Sequence, residues 1–232
     1  MAGEGDEWHE ERRMKSDDYI FVSDFDGTIT IDDTNGMLFL VCGNEVNAQI
    51  EEDFIADKMS NREAMKMHFD VMKLSLADYH AFLDNHIKID PGFDEFLLGV
   101  YKRKLPFCIV SAGFRQGVKR VLGEGRLSNI KVYANDLVGT ERLSPVFAQE
   151  PNCDRAIGPC GNCKKAVLTS IKTSEGKKII FIGDGLTDRC AIEEADIVFA
   201  KKALAKHCMD ENIPYKPYKS FLDITKFLNS IE

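Results

Sequence analysis

The sequence predicts an α/β protein with a parallel, three-layered sheet, and three observations support this prediction. Continuous apolar runs of strand length recur along the chain, and segments typical of helices lie between them. The runs stop abruptly at small or acidic residues, as buried parallel strands do at a surface. With 232 residues, 44% of them hydrophobic, the chain can form one core domain and a small second one. The alternation predicts right-handed crossovers and hence a Rossmann-like sheet.

Charge and composition exclude several classes of partner. The net charge is −8, whereas binding to nucleic acid or to an anionic membrane requires a basic surface. No apolar run approaches the roughly 20 residues of a membrane span, and the polar N-terminus does not resemble a signal sequence. Seven cysteines without regular spacing favour a reducing compartment. We therefore expect a cytoplasmic protein with a small-molecule partner, and the sequence leaves its oligomeric state open.

The first predicted strand begins at Tyr19, after a charged segment (1–18) that we expect to be a disordered acidic tail. In the motif after this strand, Asp24 and Asp26 point the same way, and Gly27 allows a sharp turn. Two such carboxylates repel each other unless a cation binds or one keeps a proton. A solvated turn is an alternative. A calcium loop would need a third acidic or amide position before the glycine.

Residues 33–89 predict a helical insertion, which we interpret as a cap of four short helices. The remainder of the chain after the tail, residues 19–32 and 90–232, then forms the core. Helix starts in the insertion are indicated by capping residues and their spacing: Asp33 or Thr34, Glu45, Ser60 with Glu63, and Ser75 with Asp78. Methionine, which fills irregular apolar surfaces, is frequent here: Met59, Met65, Met67 and Met72. These methionines are either the core of the cap or a contact for a ligand.

The core segment continues the alternation of helix and strand. Asp90 and Pro91 are a typical start for a helix. The pattern then predicts the following elements in order: a strand at 105–110, a helix from about 114 to 122, strands at 130–138 and near 146, a helix at 164–171, a strand ending at Asp184, a strand at 195–200 and a helix at 220–231.

Polar groups at the ends of separate strands predict one shared site. Asp24, Asp26, Ser111 and Asp184 all follow apolar runs, and ligands of such sheets bind beyond the carboxyl ends of the strands. The Ser111 hydroxyl and the backbone N–H groups after it can bind an anion. Lys164 would neutralise a phosphoryl oxygen, unless it is a solvated surface lysine.

Metal binding is predicted at the last of these strand ends. Asp184 lies between two glycines, and Asp188 follows about one helical turn later. Hard oxygen ligands with glycines that allow close approach suit Mg²⁺, whereas softer metals would require histidine or thiolate.

Three cysteines, Cys153, Cys160 and Cys163, lie within a short irregular stretch. A zinc site is one interpretation, but no fourth cysteine or histidine lies nearby in the sequence. We therefore expect packing and loop residues there.

The ordered motifs DFDGT, SAG, a lysine and GDGLTD resemble those of the haloacid dehalogenase (HAD) superfamily of phosphatases, from about Asp18 onward. The resemblance implies that Asp24 is the nucleophile and that Asp26 is the general acid and base. It also implies phosphate binding by the 111–113 segment (Ser111, Ala112, Gly113) and Lys164. The ligands that it implies for Mg²⁺ are Asp24, the Asp26 carbonyl, Asp184 and Asp188.

Within that superfamily, an insertion directly after the first motif resembles the phosphoserine-phosphatase-like branch. Gly27, the CGNCK motif at 160–164 and GDGLTD are more similar to the 2-hydroxy-3-keto-5-methylthiopentenyl-1-phosphate phosphatases of methionine salvage. The resemblance implies hydrolysis of a small phosphomonoester. Phosphoserine phosphatase, a phosphotransferase and a catalytically silent phosphate-binding regulator remain alternatives.

Overall fold

The first strand, β1 (Tyr19–Ser23), lies at the centre of a seven-stranded sheet in the computed structural model, which describes residues 18–149 and 160–231. The other strands are β2 (Phe107–Phe114), β3 (Lys131–Val138), β4 (Ser144–Val146), β5 (Lys178–Gly183), β6 (Ile197–Ala200) and β7 (Lys216–Pro217). Their order is β4-β3-β2-β1-β5-β6-β7, and only β4 runs antiparallel to its neighbour. The predicted α/β fold is confirmed.

Helices cover both faces of this sheet. Along β1, Tyr19 and Phe21 face one apolar cluster, and Ile20 and Val22 face another. The first cluster includes α5 (Phe93–Lys102), α6 (Arg115–Leu127) and α9 (Phe221–Ser230), and the second includes α7 (Lys164–Glu175) and α8 (Lys202–Asp210). Because both faces are covered at the centre of the sheet, β1 and β2 are buried along their whole length, whereas β3 is only partly buried.

Four helices follow β1 in the chain: α1 (Thr34–Cys42), α2 (Glu45–Ile55), α3 (Asn61–Met72) and α4 (Leu76–His86). Asp33, Asn44, Ser60 and Ser75 cap them, each accepting a hydrogen bond from a backbone N–H of its helix. The apolar cluster of these helices also contains Phe114, Leu137 and Leu143 from the sheet region. The insertion therefore packs onto the sheet, and its treatment as a separate cap domain over 33–89 stays a prediction.

Two local expectations at the start of the core segment were wrong. The Ser111–Gly113 segment belongs to β2, which extends to Phe114 with a shift in register after Val110. Asp90 is also not the N-cap residue of α5, because Gly92 takes that position. Its carboxylate instead accepts from the N–H groups of Gly92 (2.9 Å) and Phe221 (3.1 Å), and so joins the starts of α5 and α9.

Two further expectations fall on parts of the chain that are not described. Of the predicted tail (1–18), only the last residue is described, and Cys153 also lies outside the described ranges. None of the helices in the described ranges is long and apolar enough to cross a membrane.

Candidate active site

The motif after β1 begins the site. Asp24 is buried, and its N–H donates to the carbonyl of Ile182 on β5 (2.8 Å). Its Oδ1 accepts from the N–H of Phe25 (2.7 Å), which fixes the carboxylate against its own loop. Gly27 has φ +74°, and a side chain there would collide with the Asp184 carboxylate. The turn therefore requires glycine both for its left-handed backbone and for space.

The end of β2 brings Ser111 to this loop. The Ser111 hydroxyl donates to Asp26 Oδ2 and accepts from the N–H of Gly113, both at 2.8 Å. A Cβ on Gly113 would lie 2.6 Å from the same Asp26 oxygen. The side chain of Asp26 therefore faces the Ser111–Gly113 segment closely, whereas that of Asp24 faces Lys164.

Lys164, the first residue of α7, is buried. Its Nζ lies 2.7 Å from Asp24 Oδ1 and 2.6 Å from Asp188 Oδ1. Burial disfavours the charged form, but the carboxylates of Asp188 and Asp24 outweigh this effect and raise the pKa of Lys164 above its usual value. Lys164 is thus a permanently charged link between two strand ends and not a solvated surface lysine.

Asp184 and Asp188 complete the site after β5. Asp188 Oδ2 accepts from the N–H groups of Asp184 (3.1 Å) and Gly185 (3.0 Å), and the Thr28 hydroxyl donates to Asp184 Oδ1 (3.0 Å). Carboxylate oxygens of Asp24, Asp184 and Asp188 lie within 4.8 Å of one another, and all three residues are buried. These are hard oxygen donors without thiolate or imidazole, so the donor set fits Mg²⁺.

The carboxylates are more numerous than the cations beside them. Burial, followed by the charge of Asp188, raises the pKa of Asp24 well above its usual value. The same two causes raise the pKa of Asp184, and burial raises that of Asp26, although the Ser111 hydrogen bond opposes the rise. In the absence of a metal ion, this cluster therefore favours bound protons, which is the condition that a divalent cation would relieve.

Lys202 is a site residue that sequence reasoning missed. Its Nζ donates to Asp184 Oδ2 (3.0 Å) and to the carbonyls of Gly27 (3.1 Å) and Ile31 (3.2 Å). Asn35 was also missed, and its Nδ2 lies close to the position that a Cβ on Gly113 would take. Neither residue belongs to a motif, and both come from helix starts, where a capping pattern gives no sign of contact with a distant strand.

The CGNCK motif contributes through its asparagine. Asn162 is buried, and its Nδ2 donates to the carbonyls of Ser111 (2.8 Å) and Tyr133 (3.0 Å), which ties the start of α7 to β2 and β3. Cys163 precedes α7 directly. Within the described part of the chain, the one acidic, cysteine or histidine cluster suited to a metal is the aspartate cluster.

A cavity of about 230 Å³ lies beside these carboxylates. From the sheet side, it is lined by Asp24, Asp26, Ala112, Gly113, Asp184, Gly185, Leu186, Thr187, Lys202 and Ala203. From the α1–α3 side, it is lined by Asp33, Asn35, Gly36, Phe39, Glu51, Phe54, Ile55, Asn61 and Met65. The cavity therefore has the aspartate cluster on one side and a wall of mixed polar and apolar residues on the other.

The arginine and most of the methionines named in the insertion lie away from the cavity. Arg62 donates to the carbonyl of Gln149 (2.9 Å) and lies over the Phe147 ring (4.5 Å to its centroid), so it does not line the cavity. Among Met59, Met65, Met67 and Met72, Met65 alone lines the cavity, and Met67 is exposed.

Known proteins were compared with this chain. The model of the family described as "Putative Phosphatase" matches residues 19–219. A 2-hydroxy-3-keto-5-methylthiopentenyl-1-phosphate phosphatase of Bacillus cytotoxicus is 30% identical over 210 residues, covering 90% of this chain and 94% of the relative. A polyol phosphate phosphatase of Saccharomyces cerevisiae is 25% identical over 227 residues, covering 91% and 93%.

Among solved structures, a substrate-bound phosphoserine phosphatase has a TM-score of 0.68 at 18% identity. The match covers 96% of this chain and 100% of the phosphoserine phosphatase chain. At this identity, the similarity shows the fold. The family match and the 30% identical relative, together with the cluster of buried aspartates, confirm that the protein is an enzyme of the phosphatase class. The chain belongs to this phosphatase family.

Proposed function

We propose that the protein hydrolyses a small phosphomonoester through an aspartyl-phosphate on Asp24 and that it requires Mg²⁺. The observation that carries this proposal is the convergence of two strand ends on one cavity edge, Asp24 and Asp26 after β1 and Asp184 after β5. Lys164, at the start of α7, contacts Asp24 from behind this edge. A silent phosphate-binding regulator would have no use for a second aspartate with a raised pKa beside the first.

Asp24 acts as the nucleophile in this proposal. The ammonium of Lys164, 2.7 Å from Asp24 Oδ1, favours the ionised carboxylate that must attack phosphorus. The attack forms a bond between Asp24 and phosphorus while the bond to the leaving oxygen breaks. Lys164 then balances the negative charge that develops on the phosphoryl oxygens.

Asp26 acts as the acid and then as the base. Burial raises the pKa of Asp26, so its carboxyl can hold the proton that the leaving oxygen requires. Once the proton is given up, the same carboxylate removes a proton from the water that hydrolyses the aspartyl-phosphate. The Ser111 hydroxyl, 2.8 Å from Asp26 Oδ2, orients this carboxyl, and in this proposal the 111–113 segment lies beside a phosphoryl oxygen of the substrate.

The cation site of the proposal consists of Asp24, Asp184 and Asp188, with the Asp26 carbonyl as a further donor. The three carboxylates fit Mg²⁺ because they are hard, buried and too close together to be ionised without a counter-charge. When bound, Mg²⁺ would polarise the phosphoryl group and neutralise charge on it.

The substrate that we propose is 2-hydroxy-3-keto-5-methylthiopentenyl 1-phosphate or a phosphoester of similar size and polarity. Phe39, Phe54, Ile55 and Met65 form an apolar wall that suits a leaving group with a thioether end. A phosphoamino acid would need a cation for its carboxylate. Among the described residues that line the cavity, Lys202 is the sole cation, and its three N–H groups have acceptors in the protein.

Steady-state kinetics with Mg²⁺ tests this proposal. We expect kcat/KM for the methylthio-ketopentenyl phosphate to exceed that for phosphoserine and for a sugar-alcohol phosphate. The sugar-alcohol phosphate is included because a relative from yeast is named for polyol phosphates. Activity should disappear with EDTA and return with Mg²⁺. An assay with added alcohols should detect free phosphate and no phosphorylated alcohol.

Two results would count against parts of the proposal. A preference for phosphoserine that is lost in Arg62→Ala would contradict the assignment of the wall. Full activity after exhaustive chelation would contradict the cation site. Because the sequence favours a reducing compartment and a small metabolite, we also assign the protein to the cytoplasm, which fractionation of cells would test.

A further inference from the structure

Lys202 occupies an unusual place in the molecule. It is the first residue of α8, it lines the active-site cavity and its backbone has φ +47°. Left-handed backbone is disfavoured for residues other than glycine, asparagine and aspartate. Five non-glycine residues of the described chain have positive φ, and Lys202 is the one among them that lines this cavity. A residue held in a disfavoured backbone conformation at a site points to a role for that residue.

The contacts of its ammonium group define this role. A lysine has three N–H donors, and Nζ of Lys202 lies 3.0 Å from Asp184 Oδ2, 3.1 Å from the Gly27 carbonyl and 3.2 Å from the Ile31 carbonyl. All three donors are therefore used within the protein. A phosphate or substrate carboxylate would have to displace one of these acceptors, so Lys202 is placed to position protein groups and not to bind substrate.

The three acceptors belong to two parts of the site that must keep a fixed relation. Gly27 and Ile31 bound the turn that follows Asp26, and Thr34, three residues after Ile31, begins the insertion. Asp184 follows β5 and belongs to the cluster suited to a cation. In this turn, Thr28 donates to the other oxygen of Asp184 (3.0 Å). Lys202 and Thr28 together therefore orient the Asp184 carboxylate and fasten the turn to it.

We propose that Lys202 is a positioning residue, which holds Asp184 in the orientation for cation binding and keeps the turn from Gly27 to Ile31 fixed to it. This inference rests on the proposed cation site. Two opposite effects follow from loss of the lysine. If its positive charge alone mattered, removal would strengthen binding of a divalent cation, because a repulsion would disappear. If positioning matters, removal weakens binding, because Asp184 loses its orientation.

The chain offers a matched control in Lys201. Its charge acts on the same carboxylates, Asp184 and Asp24, but its Nζ lies over the ring of Tyr218, 5.0 Å from the centroid. The described hydrogen bonds to the Asp184 side chain come from Thr28 and Lys202. Lys201→Met therefore removes a nearby charge without removing the tie, whereas Lys202→Met removes both.

The experiment measures binding of Mn²⁺, a spectroscopic substitute for Mg²⁺, by electron paramagnetic resonance in the substrate-free protein. We expect Lys202→Met to weaken Mn²⁺ binding several-fold and Lys202→Arg to keep most of the wild-type affinity. Lys201→Met should leave the affinity unchanged or raise it. Stronger Mn²⁺ binding in Lys202→Met would overturn the inference, as would equal effects of the two Met variants.

Hydrogen exchange in EDTA gives a second measurement that needs neither metal nor activity. Amides in the peptide from Asp24 to Asp33 should exchange faster in Lys202→Met than in wild type or Lys201→Met. Exchange in Lys202→Met equal to that in wild type would overturn the inference that Lys202 fastens the turn. If wild type binds no Mn²⁺, the proposed cation site fails, together with the part of the inference that depends on it, whereas exchange still decides whether Lys202 fastens the turn.

Discussion

The two walls of the active-site cavity are held in different ways. On the sheet side, Asp24, Asp26 and Asp184 each accept at least one hydrogen bond from a group on the core. On the insertion side, four apolar residues lie among polar ones, and the buried Oδ1 of Asn61 has no hydrogen-bond partner among the described residues. The apolar four are Phe39, Phe54, Ile55 and Met65. Apolar contacts have no preferred direction, whereas hydrogen bonds fix positions. From this difference we expect the core to determine the reaction and the apolar part of the insertion wall to adapt to different leaving groups.

The largest effect that separates the two walls should come from Asp24→Asn. The change is nearly isosteric but removes the nucleophile, so we expect kcat to fall at least about 10³-fold with every phosphomonoester. A discontinuous assay of phosphate release measures the fall in kcat. The variant should keep its fold and, in EDTA, gain stability, because an asparagine carries no charge into the acidic cluster. Substantial turnover by this variant would exclude an aspartyl-phosphate on Asp24.

Asp26→Asn should reduce kcat by about 10² to 10⁴-fold for leaving groups that need a proton. A p-nitrophenolate leaving group is stable without protonation, so the variant should lose less of its rate with p-nitrophenyl phosphate. The ratio of the two losses, measured under single-turnover conditions, tests the acid role. Equal losses for both substrates would contradict the role of Asp26 as the acid.

The pH dependence of stability should report on buried carboxyls of both walls, because burial also raises the pKa of Asp33, on the insertion side, to about 7. Burial raises the pKa of Asp24, Asp26 and Asp184. A raised pKa means that the folded state binds the proton more tightly than the unfolded state does. This stabilisation is complete below the unfolded carboxyl pKa of about 4 and is lost as the pH rises through the raised values. In EDTA, the free energy of unfolding should therefore fall with rising pH over that range.

Mg²⁺ should reduce this fall, because a bound cation favours the ionised carboxylates. Urea unfolding at a series of pH values, with EDTA and with Mg²⁺, makes the comparison. The Asp184→Asn variant in EDTA is the control and should show a shallower dependence than wild type. Parallel profiles with and without Mg²⁺ would mean that the ion does not bind this cluster.

A change in the insertion wall should affect selectivity more than the chemical step. Met65 is 5% exposed and lines the cavity, so Met65→Ala removes apolar contact with the leaving group and costs about 2 to 5 kcal/mol of folding stability. We expect KM for an apolar leaving group to rise several-fold and kcat to change little. Met67→Ala, at an exposed position on the same helix, is the matched control. A comparable rise in KM with Met67→Ala would show that Met65 has no special contact.

The smallest effect is expected for Arg62→Ala. Arg62 contacts Phe147 and the Gln149 carbonyl, so its loss should cost about 1 kcal/mol of stability and change kcat/KM for phosphoserine by less than about twofold. Thermal unfolding and kinetics on the same preparation measure both quantities. A selective loss of phosphoserine turnover would show that this arginine reaches the substrate after all.

Short-range patterns in the sequence predicted much of this molecule. The capping residues Asp33, Ser60 and Ser75 lie at the starts of the helices that they predicted. Each such feature depends on groups a few residues apart, whose relation is set by the helix itself. The apolar runs predicted strands in the same way, and the shared edge of a parallel sheet then brought Asp24, Ser111 and Asp184 together.

Only the tertiary structure decided what lies between those strand ends. The contact of Lys202 with Gly27 spans 175 residues of chain, and that of Asn162 with Ser111 spans 51. The hydrogen bond between Arg62 and the Gln149 carbonyl spans 87 residues, and it holds the arginine side chain away from the cavity. The sequence by itself determined which carboxylates meet at the strand ends, because they are attached to elements that local forces specify. Partners such as Lys202 depend on how separate helices pack, and no periodicity or cap encodes that packing within a single segment.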